Sequence, residues 1–210
     1  MKRILFTAMF SIAAYGDALH FPFNEKSGES AKDAGGITAS VPDAWETGAF
    51  GGAVRLSGES ADVVRIAVPR EKQIGTGSMT IACWIYPDTF AIEAKDKRRR
   101  IFNIIDEWPN QYMVVEVKDN GSLGMSFGSR LADGKYSSGG VSAKLPIKTG
   151  TWTHIAFALD REAKRLRVYI NGALDNEGAL ADTFTGDFRS DKPVTIGSSW
   201  QGFIGVVDEF

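Results

Sequence analysis

The stretch from Thr151 to Gly172, T-W-T-H-I-A-F-A-L-D-R-E-A-K-R-L-R-V-Y-I-N-G, sets two apolar-alternating runs around a short charged turn. In the first run Thr153, Ile155, Phe157 and Leu159 share one face; Trp152, His154, Ala156 and Ala158 share the other. In the second, Leu166, Val168 and Ile170 lie opposite Arg165, Arg167 and Tyr169. Strand side chains alternate faces, so each run buries one side and wets or half-buries the other. Asp160 to Lys164 is polar and of hairpin-loop length, and Asn171-Gly172 suits a turn that needs positive φ. A lone hairpin is marginal in water, so the rest of the chain must supply an opposing sheet.

The remaining sequence repeats this kind of segment. Short apolar runs end in Gly, Pro, Asp or Asn, glycine occurs 23 times, and no long stretch keeps a helical period. At 210 residues this favours one all-β domain, a two-sheet antiparallel β-sandwich. The start differs. Met1-Lys2-Arg3 is basic, Ile4 to Ala14 is apolar but too short to span a bilayer, and Ala14-Tyr15-Gly16 places small residues at a cleavage site. Residues 1–16 are therefore expected to be a signal peptide and 17–210 the mature domain, not membrane-spanning, and secreted, periplasmic or at the cell surface. Cleavage after Ala18, or a buried first element, is the alternative. The full chain has 24 basic and 26 acidic residues, and removing Lys2 and Arg3 makes it more acidic. With no basic stripe, nucleic acid is not an expected partner. Cys83, the one cysteine, sits in the apolar T-I-A-C-W-I-Y-P and reads as a small buried hydrophobe.

In chain order, strands are predicted at Leu19–Phe23, Ile37–Val41, Ala53–Ser57, Val63–Val68, Met79–Tyr86, Ile101–Asp106, Tyr112–Val117, Leu123–Phe127 and Val141–Leu145. After the Thr151–Gly172 pair come Val194–Gly197 and Phe203–Val207. Ala91 to Arg100, with K-D-K-R-R-R, reads as a solvated loop, or more sharply as a site for an acidic glycan or phosphate surface. Glu107–Gln111 is a loop exposing Trp108. Gly128–Gly140 is a long Gly/Ser loop carrying Tyr136, and Asn176–Lys192 is a second long connection anchored by Phe184 and Phe188.

Taken together, these pieces resemble laminin-G-like jelly-roll domains of the concanavalin A-like lectin/glucanase superfamily. The resemblance rests on Leu19–Glu25 followed by Gly28 and Asp33, G-G-A-V-R-L-S-G at 51–58 and M-T-I-A-C-W-I-Y-P at 79–87. It continues through W-T-H-I-A-F at 152–157, R-V-Y-I-N-G at 167–172, V-T-I-G at 194–197 and G-F-I-G-V-V-D-E-F at 202–210. It implies jelly-roll connections. It also implies a further short segment past D-E-F, so the chain is expected to be C-terminally truncated and fused to further domains. Such domains often hold Ca²⁺ at the sandwich rim, which makes Asp33 and Asp208 the metal candidates.

Function is less directly written. Jelly-roll glucanases need two facing carboxylates, and no E-x-D-x-E triplet occurs: Glu116 stands alone, while Asp106-Glu107 and Asp208-Glu209 are adjacent and would face opposite ways. His154, beside Trp152, reads as a packed core histidine. Sugars need aromatic platforms beside hydrogen-bonding groups, and Trp108, Tyr112, Tyr136 and Trp200 lie in or beside predicted loops. Trp108 and Trp200 also suit plugs at the sandwich ends. Trp45, Trp84 and Trp152 read as structural. The expectation is a non-catalytic exported module binding a glycan or glycoconjugate; a polysaccharide-degrading enzyme of the same fold and a structural spacer are the alternatives.

Overall fold

The computed structural model describes residues 19–93, 97–107, 111–131, 133–182 and 184–210. The expected signal segment and Trp108 lie outside the described residues. Among those described, the strands are β1 Ser30–Lys32, β2 Thr38–Ser40, β3 Trp45–Thr47, β4 Gly52–Ser57 and β5 Val64–Ile66. Next come β6 Met79–Pro87, β7 Arg98–Glu107, β8 Gln111–Lys118, β9 Leu123–Arg130 and β10 Tyr136–Ser142. The last are β11 Thr153–Asp160, β12 Arg165–Ile170, β13 Ala173–Ala179, β14 Val194–Ile196 and β15 Ile204–Asp208. A single 3-10 turn, Arg70–Lys72, completes the described elements.

The expected hairpin is β11–β12, paired from Ile155↔Ile170 to Asp160↔Arg165. β11 also pairs with β6, setting Ile155 opposite Cys83 and Phe157 opposite Ile81. The sequence pattern dictates this: the four residues assigned to the buried face of β11 are all buried. Each fully buried large apolar side chain contributes roughly 1.5–3 kcal/mol. Cys83 is a packed hydrophobe, and burial, with the Asp208 charge second, pushes its thiol far above the range in which it reacts.

Two antiparallel sheets result, ordered β1-β2-β5-β14-β7-β8-β9-β10 and β13-β12-β11-β6-β15-β4-β3. Successive strands β4 to β7 and β14 to β15 switch sheets, while β7 to β10 and β11 to β13 run as meanders; this is the jelly-roll sandwich. The two ends of the described chain meet, with Phe21 and Phe210 exchanging both main-chain bonds at 2.6 and 3.1 Å. His20 Nε2 lies 2.6 Å from Glu209 Oε2 beside them.

Four local expectations differ from the structure. Residues 128–140 are not one long loop: β9 runs to Arg130 and β10 starts at Tyr136, so small residues here pave strands. Gly139 is required because its Cβ would stand 2.8 Å from the buried Phe127 ring. Arg98–Arg100 is strand, not solvated loop. Arg98 bonds Glu116 at 2.5 Å, Arg99 donates to the Ala91 and Gly202 carbonyls, and Arg100 stacks on Trp200. Leu19–Phe23 forms no ladder beyond its bonds to Phe210. His154 is not in the core but half-buried on the outer face of the seven-stranded sheet, 5.4 Å from Trp84, where burial lowers its pKa. The predicted anchors Phe184 and Phe188 do enter the core, against Phe127 at 4.6 and 6.0 Å, with Arg161 over both rings.

Candidate functional site

The outer face of the eight-stranded sheet is built from the residues that alternate with its core. Ser40, Arg65, Thr195, Asn103, Val114, Ser126 and Gly140 stand opposite one another across β2, β5, β14, β7, β8, β9 and β10. Their alternates, such as Ala39, Ile66, Ile196, Phe102, Val115, Phe127 and Val141, are in the core. At about 4.8 Å per strand, this row is about 29 Å long. It is mostly small and polar, so the face is a shallow trough.

Tyr112 and Tyr136 meet at one end of the trough. Tyr112 is opposite Gly128, and a Cβ on Gly128 would stand 2.0 Å from the Tyr136 hydroxyl and 2.6 Å from Tyr112 Cε1. The two rings therefore cross over a bare backbone. Tyr136 is 44% exposed. Partial burial, and after it a hydrogen bond with Tyr112, pushes its phenol up to about 12, so it remains a neutral donor at ordinary pH. Trp200, 53% exposed, lies elsewhere on the face: its ring is 4.7 Å from Arg100 Cζ, and Arg100 is opposite Glu116. Along β8 the step from 112 to 116 is about 14 Å. The structure thus brings two of the proposed aromatics together, with the third along the same trough.

The two candidate metal ligands are not brought together. Asp33 belongs to the β1–β2 turn, where its Oδ1 accepts the Ile37 N–H at 2.6 Å. Asp208 is in β15 of the other sheet, fully buried; its Oδ2 accepts the Phe50 N–H at 2.9 Å, and its Oδ1 has no hydrogen-bond partner. Burial holds this carboxyl above the usual carboxylate range. Glycines make room for it: a Cβ on Gly48 would lie 2.5 Å from Asp208 Oδ2 and 2.4 Å from the Gly52 carbonyl. The Phe23 carbonyl and Asn24 Oδ1 pack against Gly52 and Gly51 nearby. Asn24 Oδ1 accepts the Gly52 N–H at 2.6 Å, and the orphaned Asp208 oxygen is of the chemistry that a hard cation such as Ca²⁺ takes. Among the described residues no three His, Cys, Asp or Glu side chains cluster, so such an ion would rely on those carbonyls and Asn24.

Sequence reasoning missed Arg65, Asn103, Ser126 and Gly128: the first three lie in predicted strands whose pattern does not say which strands become neighbours, and Gly128 lies in a stretch that read as a loop. It also read Trp84 and Trp152 as structural. They stand half-buried on the outer face of the other sheet, Trp84 against the exposed Phe50 at 5.4 Å and Trp152 against Tyr86 at 5.6 Å.

Solved structures share this architecture. Domain 4 of AbnA, an extracellular GH43 arabinanase of Geobacillus stearothermophilus solved with arabinotriose, is 21% identical, with a TM-score of 0.58 over 91% of this chain and 88% of that one. The binding domain of Paraclostridial Mosquitocidal Protein 1 is 16% identical with a TM-score of 0.67, over 91% of this chain; the chain spans 47%, about half, of that structure's length. The CBM40 of the Ruminococcus gnavus IT-sialidase, bound to α2,3 sialyllactose, is 14% identical with a TM-score of 0.51, over 75% and 86%. At these identities the likeness establishes the fold. Comparison with curated protein sequences finds no match. A family model described as the concanavalin A-like lectin/glucanases superfamily matches residues 59–210, and with the two-sheet jelly roll this shows that the chain belongs to that superfamily.

Proposed function

We propose that the chain is a non-catalytic recognition module, exported as part of a larger protein, that binds a glycan or glycoconjugate in the trough of its eight-stranded sheet. The observation that carries this is the Tyr112–Tyr136 pair crossing Gly128 above a row of small polar residues. Sugar rings stack their CH faces on aromatic rings and need neighbouring hydrogen-bonding groups, which Ser126 and Ser138 supply. Glycoside hydrolysis needs two carboxyls about 5–9.5 Å apart; on this sheet Glu116 is buried and bonded to Arg98. The superfamily relatives solved with arabinotriose and sialyllactose favour the same reading.

The test is a glycan array followed by titration of the best binder. Tyr136→Ala and Trp200→Ala are each expected to weaken binding about tenfold, equal to about 1.4 kcal/mol, with the melting temperature within about 2 °C of wild type. An array with no binder sinks the reading; unfolded variants would show these residues to be core.

Calcium enters the proposal through Asp208, with Asn24 and the Gly52 carbonyl beside it. Ca²⁺ is expected to raise the melting temperature relative to chelator, and Asp208→Asn to abolish the shift. Without the ion the sign reverses for pH. A carboxyl whose folded pKa is raised gives its full stability below the ordinary carboxylate value and loses it as pH rises through the folded value. Chelated protein should therefore lose stability as pH rises through the raised Asp208 value, and Asp208→Asn should flatten that slope. Identical melting curves with Ca²⁺ and chelator would remove the ion from the account.

A further inference from the structure

The charge at the middle of the trough is one-sided. A depression of about 230 Å³ opens over β5, β14 and β7, lined by Arg65, Asn103, Lys192, Thr195, Ser198 and Ser199 among others, with no carboxylate in its wall. It joins a larger one of about 750 Å³ over β1, β2 and β5, and Arg65 and Lys192 line both. The acids of the larger depression are Glu29 and Asp191, the latter 3.6 Å from Arg70. Among the described residues neither Arg65 nor Lys192 has a carboxylate within ion-pairing distance.

Arg65 is also held in place. Its Nη1 donates to the Val63 carbonyl at 3.1 Å and its Nη2 to the Ser60 carbonyl at 3.3 Å, which fixes the guanidinium plane and leaves further N–H donors for a ligand. A planar fork of this kind matches a carboxylate better than a hydroxyl. Beside it, Asn103 is buried, with its Nδ2 donating to Thr195 Oγ1 at 3.1 Å and to the Gly197 carbonyl at 3.3 Å, so the floor is built and not a loose surface. The sequence placed its cations elsewhere: the K-D-K-R-R-R run is the obvious anion site by composition, yet Arg98 and Arg99 are committed to Glu116 and to main-chain carbonyls.

We propose that the trough is selective for an anionic saccharide, its carboxylate or sulfate seated between Arg65 and Lys192 and its neighbouring rings running toward Tyr112 and Tyr136. Arg65 and Tyr112 are three strands and two residues apart, about 16 Å, so the ligand is an oligosaccharide. This rests on the glycan reading above and adds the ligand's charge to it.

The experiment titrates the protein with a galacturonate oligosaccharide and with its methyl ester, which keeps the rings and removes the charge. Sialyllactose and a sulfated disaccharide identify which anionic group is preferred. Binding of at least one anionic probe is expected to exceed that of the neutral ester at least tenfold, and to weaken between about 50 and about 500 mM NaCl as exposed charges are screened. Arg65→Gln and Lys192→Gln should each cut the anionic affinity about tenfold, with a much smaller loss for the ester; Lys192→Gln guards against a folding effect of losing the Arg65 anchors. Equal binding of acid and ester, or unaltered affinity in both variants, overturns the charge selectivity while leaving the glycan reading standing. No binding to any saccharide, charged or neutral, overturns both.

Discussion

Gly205→Ala is expected to destabilise the domain by roughly 4 kcal/mol, enough to unfold a marginally stable protein at 37 °C. Gly205 is in β15, between β4 and β6 in the seven-stranded sheet. Its φ is 149°, where residues with a side chain are rarely found, and a Cβ would stand 2.2 Å from the Tyr86 carbonyl. The Phe203 ring, fully buried, is 2.9 Å away on another side. Neither neighbour can swing aside: one is the backbone of a central strand and the other is packed in the core. Denaturant unfolding of the variant measures the loss. A midpoint within experimental error of wild type would mean that β15 can shift in its sheet, contrary to the packing described.

Gly128→Ala is expected to do the opposite: little to stability, much to binding. The atoms its methyl group would meet belong to Tyr136 and Tyr112. Tyr136 is partly exposed and can rotate outward, so the structural cost is expected to stay below about 1.5 kcal/mol. The crossed pair cannot survive the methyl group, because the Tyr136 hydroxyl lies only 2.0 Å from its position. Glycan affinity should fall at least as far as in Tyr136→Ala, about tenfold or more, since both rings are displaced together. Thermal melting and titration of the same sample separate the two effects. Loss of binding with an unchanged melt supports the platform; unchanged affinity would move the site elsewhere on the molecule, and the Phe50–Trp84–His154 surface is the next place to look.

The two glycines differ in what surrounds them, and the difference shows where sequence reading stops. Both occur among short strands with the same local appearance. Gly205 faces backbone, so it is a requirement of the fold; Gly128 faces side-chain tips, so it is a requirement of the site. Similar logic separates the cations. Arg98 looks like part of a surface charge run but bonds to Glu116, whereas Arg65 and Lys192, isolated in sequence, face one depression. The stretch 128–140 was illegible for a related reason: strand periodicity is read from apolar residues, and a strand whose outer face is Gly and Ser carries half the usual signal.

Sequence alone determined the class of fold, the β11–β12 hairpin with the buried face of each of its two strands, and the Phe184 and Phe188 anchors, because apolar alternation is a local property that any sandwich must satisfy. It also picked out Tyr112, Tyr136 and Trp200 as aromatics near loops. Only the tertiary structure decided that two of these cross over Gly128, that Asp208 is buried with an orphaned oxygen in the other sheet from the Asp33 turn, and that Arg65 and Lys192 line one depression. Those facts depend on which strands become neighbours across a jelly roll, and pairing between distant segments is set by the summed packing of both sheets, not by any one segment's pattern.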